Sequence, residues 1–137
     1  MKRLIVVGML LLTMLAACST PATDAVRTIE VTMTDDLRYD PEAITVTAGE
    51  TVRFVVRNEG AAVHEFLIGT EEEQAAFEAE MSDGHGDDHG DEAGVSVDPG
   101  AAGEFSYTFA EPGELLIGCH EPGHYDGGMV AVVTVEG

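Results

Sequence analysis

The sequence predicts an all-β protein, a Greek-key β-sandwich of about seven or eight strands with one short helix and one flexible acidic loop that contains histidines. Three observations carry this. Short segments alternate apolar and polar residues with a period of two, as strands do when one face is buried and the other is wet. Turn residues separate these segments at short intervals. A single stretch departs from the pattern in favour of helix-forming residues.

The chain opens with Met1-Lys2-Arg3 and an apolar run from Leu4 to Ala17. That run is too short to span a bilayer comfortably, and a basic start before a short apolar core is the layout of an export signal over residues 1–17. Leu15-Ala16-Ala17-Cys18 resembles a bacterial lipobox, which makes Cys18 the expected lipid-bearing first residue of the mature chain. The small polar residues over 18–26 read as a tether, and 27–137 as the folded domain. The expected location is therefore outside the cytoplasm, on the periplasmic or extracellular face of a membrane.

Ile29, Val31 and Met33 share one parity, with Glu30 and Thr32 on the other. Ile44 and Val46 alternate with Thr45 and Thr47 before a turn at Ala48-Gly49-Glu50. Val52, Phe54 and Val56 oppose Arg53 and Arg57, and Asn58-Glu59-Gly60 turns the chain again. His64, Phe66 and Ile68 then share a parity, so the histidine leans toward the core. From Glu71 to Met81 the pattern is helical: Thr70 can cap it, acids fill the first turn, and Ala75, Ala76, Phe77 and Ala79 suit a short helix. Residues 82–94 form an acidic loop with nothing to bury. Strand signals return at 103–109, 114–119 and 129–135.

The formal charge is −20, and removal of Lys2 and Arg3 takes it to −22, with four arginines and no lysine remaining. Such a surface repels phosphate backbones, so nucleic acid is excluded as a partner. It could steer a cationic protein or serve as an acidic coat in a saline medium; a docking patch would be local, whereas this charge spreads over the whole chain, which weighs toward the coat. After processing, Cys119 is the one cysteine left, so no internal disulfide is possible. A lone thiol outside the cytoplasm is buried and inert, paired with another chain, or bound to metal.

The informative segment is Gly118-Cys119-His120-Glu121-Pro122-Gly123-His124-Tyr125-Asp126-Gly127-Gly128-Met129. Its Cys-x4-His-x4-Met spacing lets one tight loop present a thiolate, an imidazole and a thioether to a single point. Two imidazoles, one thiolate and a weak axial thioether make a type 1 copper site, and His64, on a strand that can pass beneath the loop, supplies the second imidazole. Zinc sites rarely use a thioether. Leu115, Ile117 and Cys119 alternate on one face, so the thiol points inward and His120 points away from it. His85 and His89 lie in the acidic loop, where fixing them costs ordering entropy; they could trap a second metal loosely. That loop fails the EF-hand pattern because Asp88 stands where glycine is required.

On these residues the sequence resembles the cupredoxin, or type 1 blue copper, family. The resemblance spans 27–137 and includes Tyr39-Asp40-Pro41, Ala48-Gly49-Glu50-Thr51-Val52 and Val63-His64-Glu65-Phe66. Pro122-Gly123-His124-Tyr125 followed by Gly127-Gly128-Met129 is similar to a periplasmic subgroup linked to copper tolerance. His120 and Glu121 depart from that subgroup, which more often has apolar residues there.

The resemblance implies one copper ion held by His64, Cys119, His124 and Met129. It also implies a carrier of single electrons, with His124 in the glycine-rich loop as the exit. The alternative is copper tolerance, sequestration or delivery through the same four residues. The partner is then a redox protein or a copper-handling protein, and the chain is expected to be a monomer. An enzyme is disfavoured: multicopper oxidases need further His-x-His clusters, and a dinuclear electron-entry site needs a second loop cysteine.

Overall fold

The computed structural model describes residues 26–82 and 94–137. Cys18, the export signal and the loop histidines His85 and His89 lie outside the described residues.

Among the described residues there are nine strands and one helix: β1 Arg27–Thr34, β2 Arg38–Asp40, β3 Ala43–Thr47, β4 Thr51–Asn58, β5 His64–Gly69, α1 Glu71–Ser82, β6 Gly94–Val97, β7 Ala102–Thr108, β8 Gly113–Gly118 and β9 Val130–Glu136. One sheet runs β2-β1-β4-β7 and the other β3-β9-β8-β5-β6. Strand β1 lies parallel to β4 and β3 parallel to β9, whereas the remaining pairs are antiparallel. The all-β sandwich expected from the sequence is the observed architecture. Two short strands go beyond the segments read there: β2, which has one inward residue, Tyr39, and β6, which closes an edge by pairing with β5.

The alternation does what period two requires. Val52, Phe54 and Val56 of β4 are buried while Arg57 is exposed, and Val133 and Val135 of β9 repeat the pattern. Between the sheets Phe54 meets Phe66 at 5.1 Å and Phe109 at 6.3 Å, with Tyr39 edge-on to Phe66 at 6.0 Å. Strand β5 is the exception, since all six of its residues are buried. Its outward side chains, Glu65 and Leu67, are covered because α1 follows directly and packs back over β5 and β8.

Helix α1 starts where the Thr70 hydroxyl accepts a hydrogen bond from the Glu73 amide (3.3 Å) and the Glu73 carboxylate accepts one from the Thr70 amide (2.7 Å). In this reciprocal cap both donors are backbone amides, so two otherwise orphaned donors are satisfied, and Glu71, Glu72 and Glu73 favour the positive end of the helix dipole. The helix has no continuous apolar stripe. It is anchored instead by Gln74, fully buried, whose amide donates to the carbonyls of Leu67 and Leu116, each at 3.0 Å.

Candidate metal centre

The site forms at one end of the sandwich, where β5 begins, β8 ends and the 119–129 loop leads into β9. Pairing of β5 with β8 sets Leu67 opposite Gly118, so His64 and Cys119 reach the same end from neighbouring strands. The loop is closed by its own backbone. Met129 N–H donates to His124 C=O (3.0 Å), Cys119 N–H to Met129 C=O (3.3 Å) and His124 N–H to Glu121 C=O (2.9 Å). Cys119, His124 and Met129 are thereby tied to one another without any bound group.

The sulfur of Cys119 lies 3.3 Å from His124 Nδ1 and 3.9 Å from His64 Nδ1, and the ligand atoms of the three residues fall within 4.8 Å of one another. Trigonal bonds of about 2.0–2.3 Å separate neighbouring donors by roughly 3.5–3.7 Å, so the observed spacings bracket those of a shared ion. Met129 is fully buried in the same end of the core. A thiolate with two imidazoles suits copper, and a thioether supplied by Met129 would favour copper over zinc. His64 is fully buried and His124 only partly, so His124 is the imidazole that reaches the surface.

The surroundings keep the Cys119 thiol protonated and the His64 ring neutral in the metal-free protein. Burial pushes the Cys119 thiol up to about 11, against the pull of the Glu65 and Glu121 amides, while the Glu65 and Glu121 carboxylates push it further up. The Glu65 N–H donates to the sulfur at 3.3 Å and would stabilise a thiolate once formed. Burial, and then the neighbouring His124, lower His64 below the ordinary histidine range, leaving a neutral ring with a free lone pair.

His120 points away from the sulfur, as strand parity requires, yet it is fully buried. Its Nε2 lies 2.7 Å from Gln74 Oε1, its Nδ1 lies 2.8 Å from Glu78 Oε2, and its ring stacks on Tyr125 at 4.6 Å. Because the Gln74 amide nitrogen already serves two carbonyls, its oxygen must accept, and His120 donates to it. The His120 amide donates to Glu65 Oε2 at 3.0 Å. Helix α1 thus locks the outer side of the cysteine strand through polar contacts. The sequence offered one signal for this: Gln74 and Glu78 stand four apart, on one face of a helix.

A further residue has no sequence signal. Asp35, between β1 and β2, accepts from the amides of Ala61 (2.8 and 3.0 Å) and Ala62 (3.3 Å) and sets one oxygen 3.4 Å from His64 Nε2. These amide bonds, Ala61's first, hold its carboxyl below the usual carboxylate range.

A family model described as a cupredoxin-like domain matches residues 6–120. The chain belongs to the cupredoxin-like family. Its match ends at His120, so His124 and Met129 take their place in this cupredoxin from the loop geometry above. The copper-resistant cuproprotein CopI of Rubrivivax gelatinosus is 43% identical over 83% of this chain and 69% of its own length. CopI of Pseudomonas aeruginosa is 36% identical over 84% of this chain and 79% of its own. Among solved structures, dithionite-reduced auracyanin from Roseiflexus castenholzii superposes with a TM-score of 0.71 at 28% identity, over 82% of this chain and 99% of that one. The cupredoxin is therefore related to copper-tolerance proteins, as the loop sequence suggested.

Proposed function

We propose that this cupredoxin binds one copper ion through His64, Cys119, His124 and Met129 and acts in copper tolerance outside the cytoplasm, held at a membrane by lipid on Cys18. The observation that carries the reading is the meeting of a buried thiol with two imidazole nitrogens over a loop that its own backbone holds closed. The relation to copper-resistance cuproproteins favours tolerance over the carrier role. No substrate turnover is part of it, and the partner is a copper-handling protein.

Copper bound here would supply a one-electron couple and a strong thiolate bond. The chain's own residues do the rest. Cys119 would bind as the thiolate, its proton passing to solvent, and the Glu65 amide would then face the charged sulfur. His64 offers a lone pair that burial keeps unprotonated. Met129 and the core exclude water from the inner side, while His124 leaves the only ligand ring near solvent among the described residues.

Electron carrying is the second reading, favoured by that surface-reaching His124 and by the rigidity of strands on both sides of the site. Gene deletion separates the two. Copper sensitivity with intact respiration, rescued by the wild-type gene and not by Cys119→Ser, is the expected result. Unchanged copper tolerance with a respiratory defect would instead assign the carrier role.

A further inference from the structure

The buried ring of His64 is held at two nitrogens with opposite demands. Nδ1 faces the Cys119 sulfur at 3.9 Å, so a metal held with that thiol takes the Nδ1 lone pair. The proton of the neutral ring must then sit on Nε2. That atom is fully buried and has no hydrogen-bond partner of good geometry; the polar group it faces is Asp35 Oδ1, 3.4 Å away. A shift of a few tenths of an ångström would make this a charge-assisted hydrogen bond.

The carboxylate is placed deliberately. Both of its oxygens accept from the Ala61 amide and one also from Ala62, so the loop before β5 grips the acid that faces the histidine opening β5. Gly60 admits it: a Cβ there would collide with Asp35 Oδ1 and come within 3.0 Å of His64 Nε2. A side chain at position 60 and a carboxylate at this spot are mutually exclusive.

We propose that Asp35 is the positioning residue of the metal centre: pinned by Ala61 and Ala62 and admitted by Gly60, it accepts the Nε2 proton of His64 and thereby fixes the ring's tautomer and strengthens its Nδ1 as a donor. This rests on the copper reading above and adds to it a determinant of oxidation-state preference. A carboxylate behind a ligand imidazole pushes electron density toward the metal and favours the more highly charged ion. Outer partners of ligand histidines change metal affinity by about 10–100-fold, and Asp35, with its side chain half exposed, belongs at the lower end.

The experiment compares the full-length protein with Asp35→Asn, Asp35→Ala and Gly60→Ala, each loaded with copper and titrated electrochemically. Asp35→Ala and Gly60→Ala should lower the preference for Cu(II) over Cu(I) about tenfold, a rise of about 59 mV for a one-electron couple. Asp35→Asn, which keeps an acceptor but loses the charge, should fall between them and the wild type. In the metal-free proteins, 15N shifts of His64 should report the Nε2–H tautomer in the wild type and a mixture of tautomers in Asp35→Ala and Gly60→Ala. A thiolate-to-copper band in all four proteins with equal potentials and equal His64 shifts overturns this inference alone. Absence of the band from the wild type removes the copper reading along with it.

Discussion

Replacing Gln74 tests how helix α1 is fastened to the strand that carries Cys119. The side chain is fully buried and makes hydrogen bonds at 3.0, 3.0 and 2.7 Å to Leu67, Leu116 and His120. Gln74→Ala strips all of them and leaves a cavity too polar to stay dry. A buried partner left unsatisfied costs about 1–3 kcal/mol, but each carbonyl keeps a second lone pair and entering water recovers part of the loss. About 3 kcal/mol remains, which lowers Tm by roughly 12 °C at about 4 °C per kcal/mol for a domain of this size. Gln74→Glu preserves volume but turns an acceptor toward the two carbonyls, so it should destabilise at least as much. Urea unfolding of the metal-free protein by circular dichroism measures both variants. If both stay within 0.5 kcal/mol of wild type, the polar anchor described for α1 is wrong and helix packing must come from elsewhere.

The raised Cys119 thiol makes stability depend on pH. Below about 9 the thiol is protonated in both folded and unfolded chains; between 9 and about 11 it ionises only when unfolded, so metal-free stability falls there by roughly 3 kcal/mol. Denaturant midpoints across that range should show the loss in wild type and much less of it in Cys119→Ser. Phe54, fully buried between Phe66 and Phe109, should cost about 3–5 kcal/mol as Phe54→Ala, read by the same unfolding measurement. Met129→Leu keeps an apolar side chain in the core while removing the thioether. It should retain copper and its thiolate band but show a shifted reduction potential by voltammetry.

Most of the sandwich was legible because it depends on period-two burial, and that pattern is written along β1, β3, β4 and β9. Strands β2 and β6 were not, since three or four residues give too short a run for a periodicity. The inward histidine of β5 followed from parity, but burial of its other face did not, because the cover comes from α1 and is a tertiary event. The loop cluster was readable from spacing alone: Cys119, His124 and Met129 are local, and the backbone bonds that join them span ten residues at most. Asp35 was invisible, for it reaches His64 across 29 positions through a turn with no periodic signal. His120 was rightly turned away from the sulfur, yet its burial against Gln74 and Glu78 depends on how the helix docks.

Addition of Cu(II) to the purified metal-free protein, followed by its visible spectrum, tests the metal centre most directly. An intense thiolate-to-copper band near about 600 nm or about 450 nm, saturating at one ion per chain and absent from Cys119→Ser, is the result the geometry predicts. Binding without such a band, or a band that survives in Cys119→Ser, would contradict the assignment of Cys119, His64 and His124 to a single copper ion.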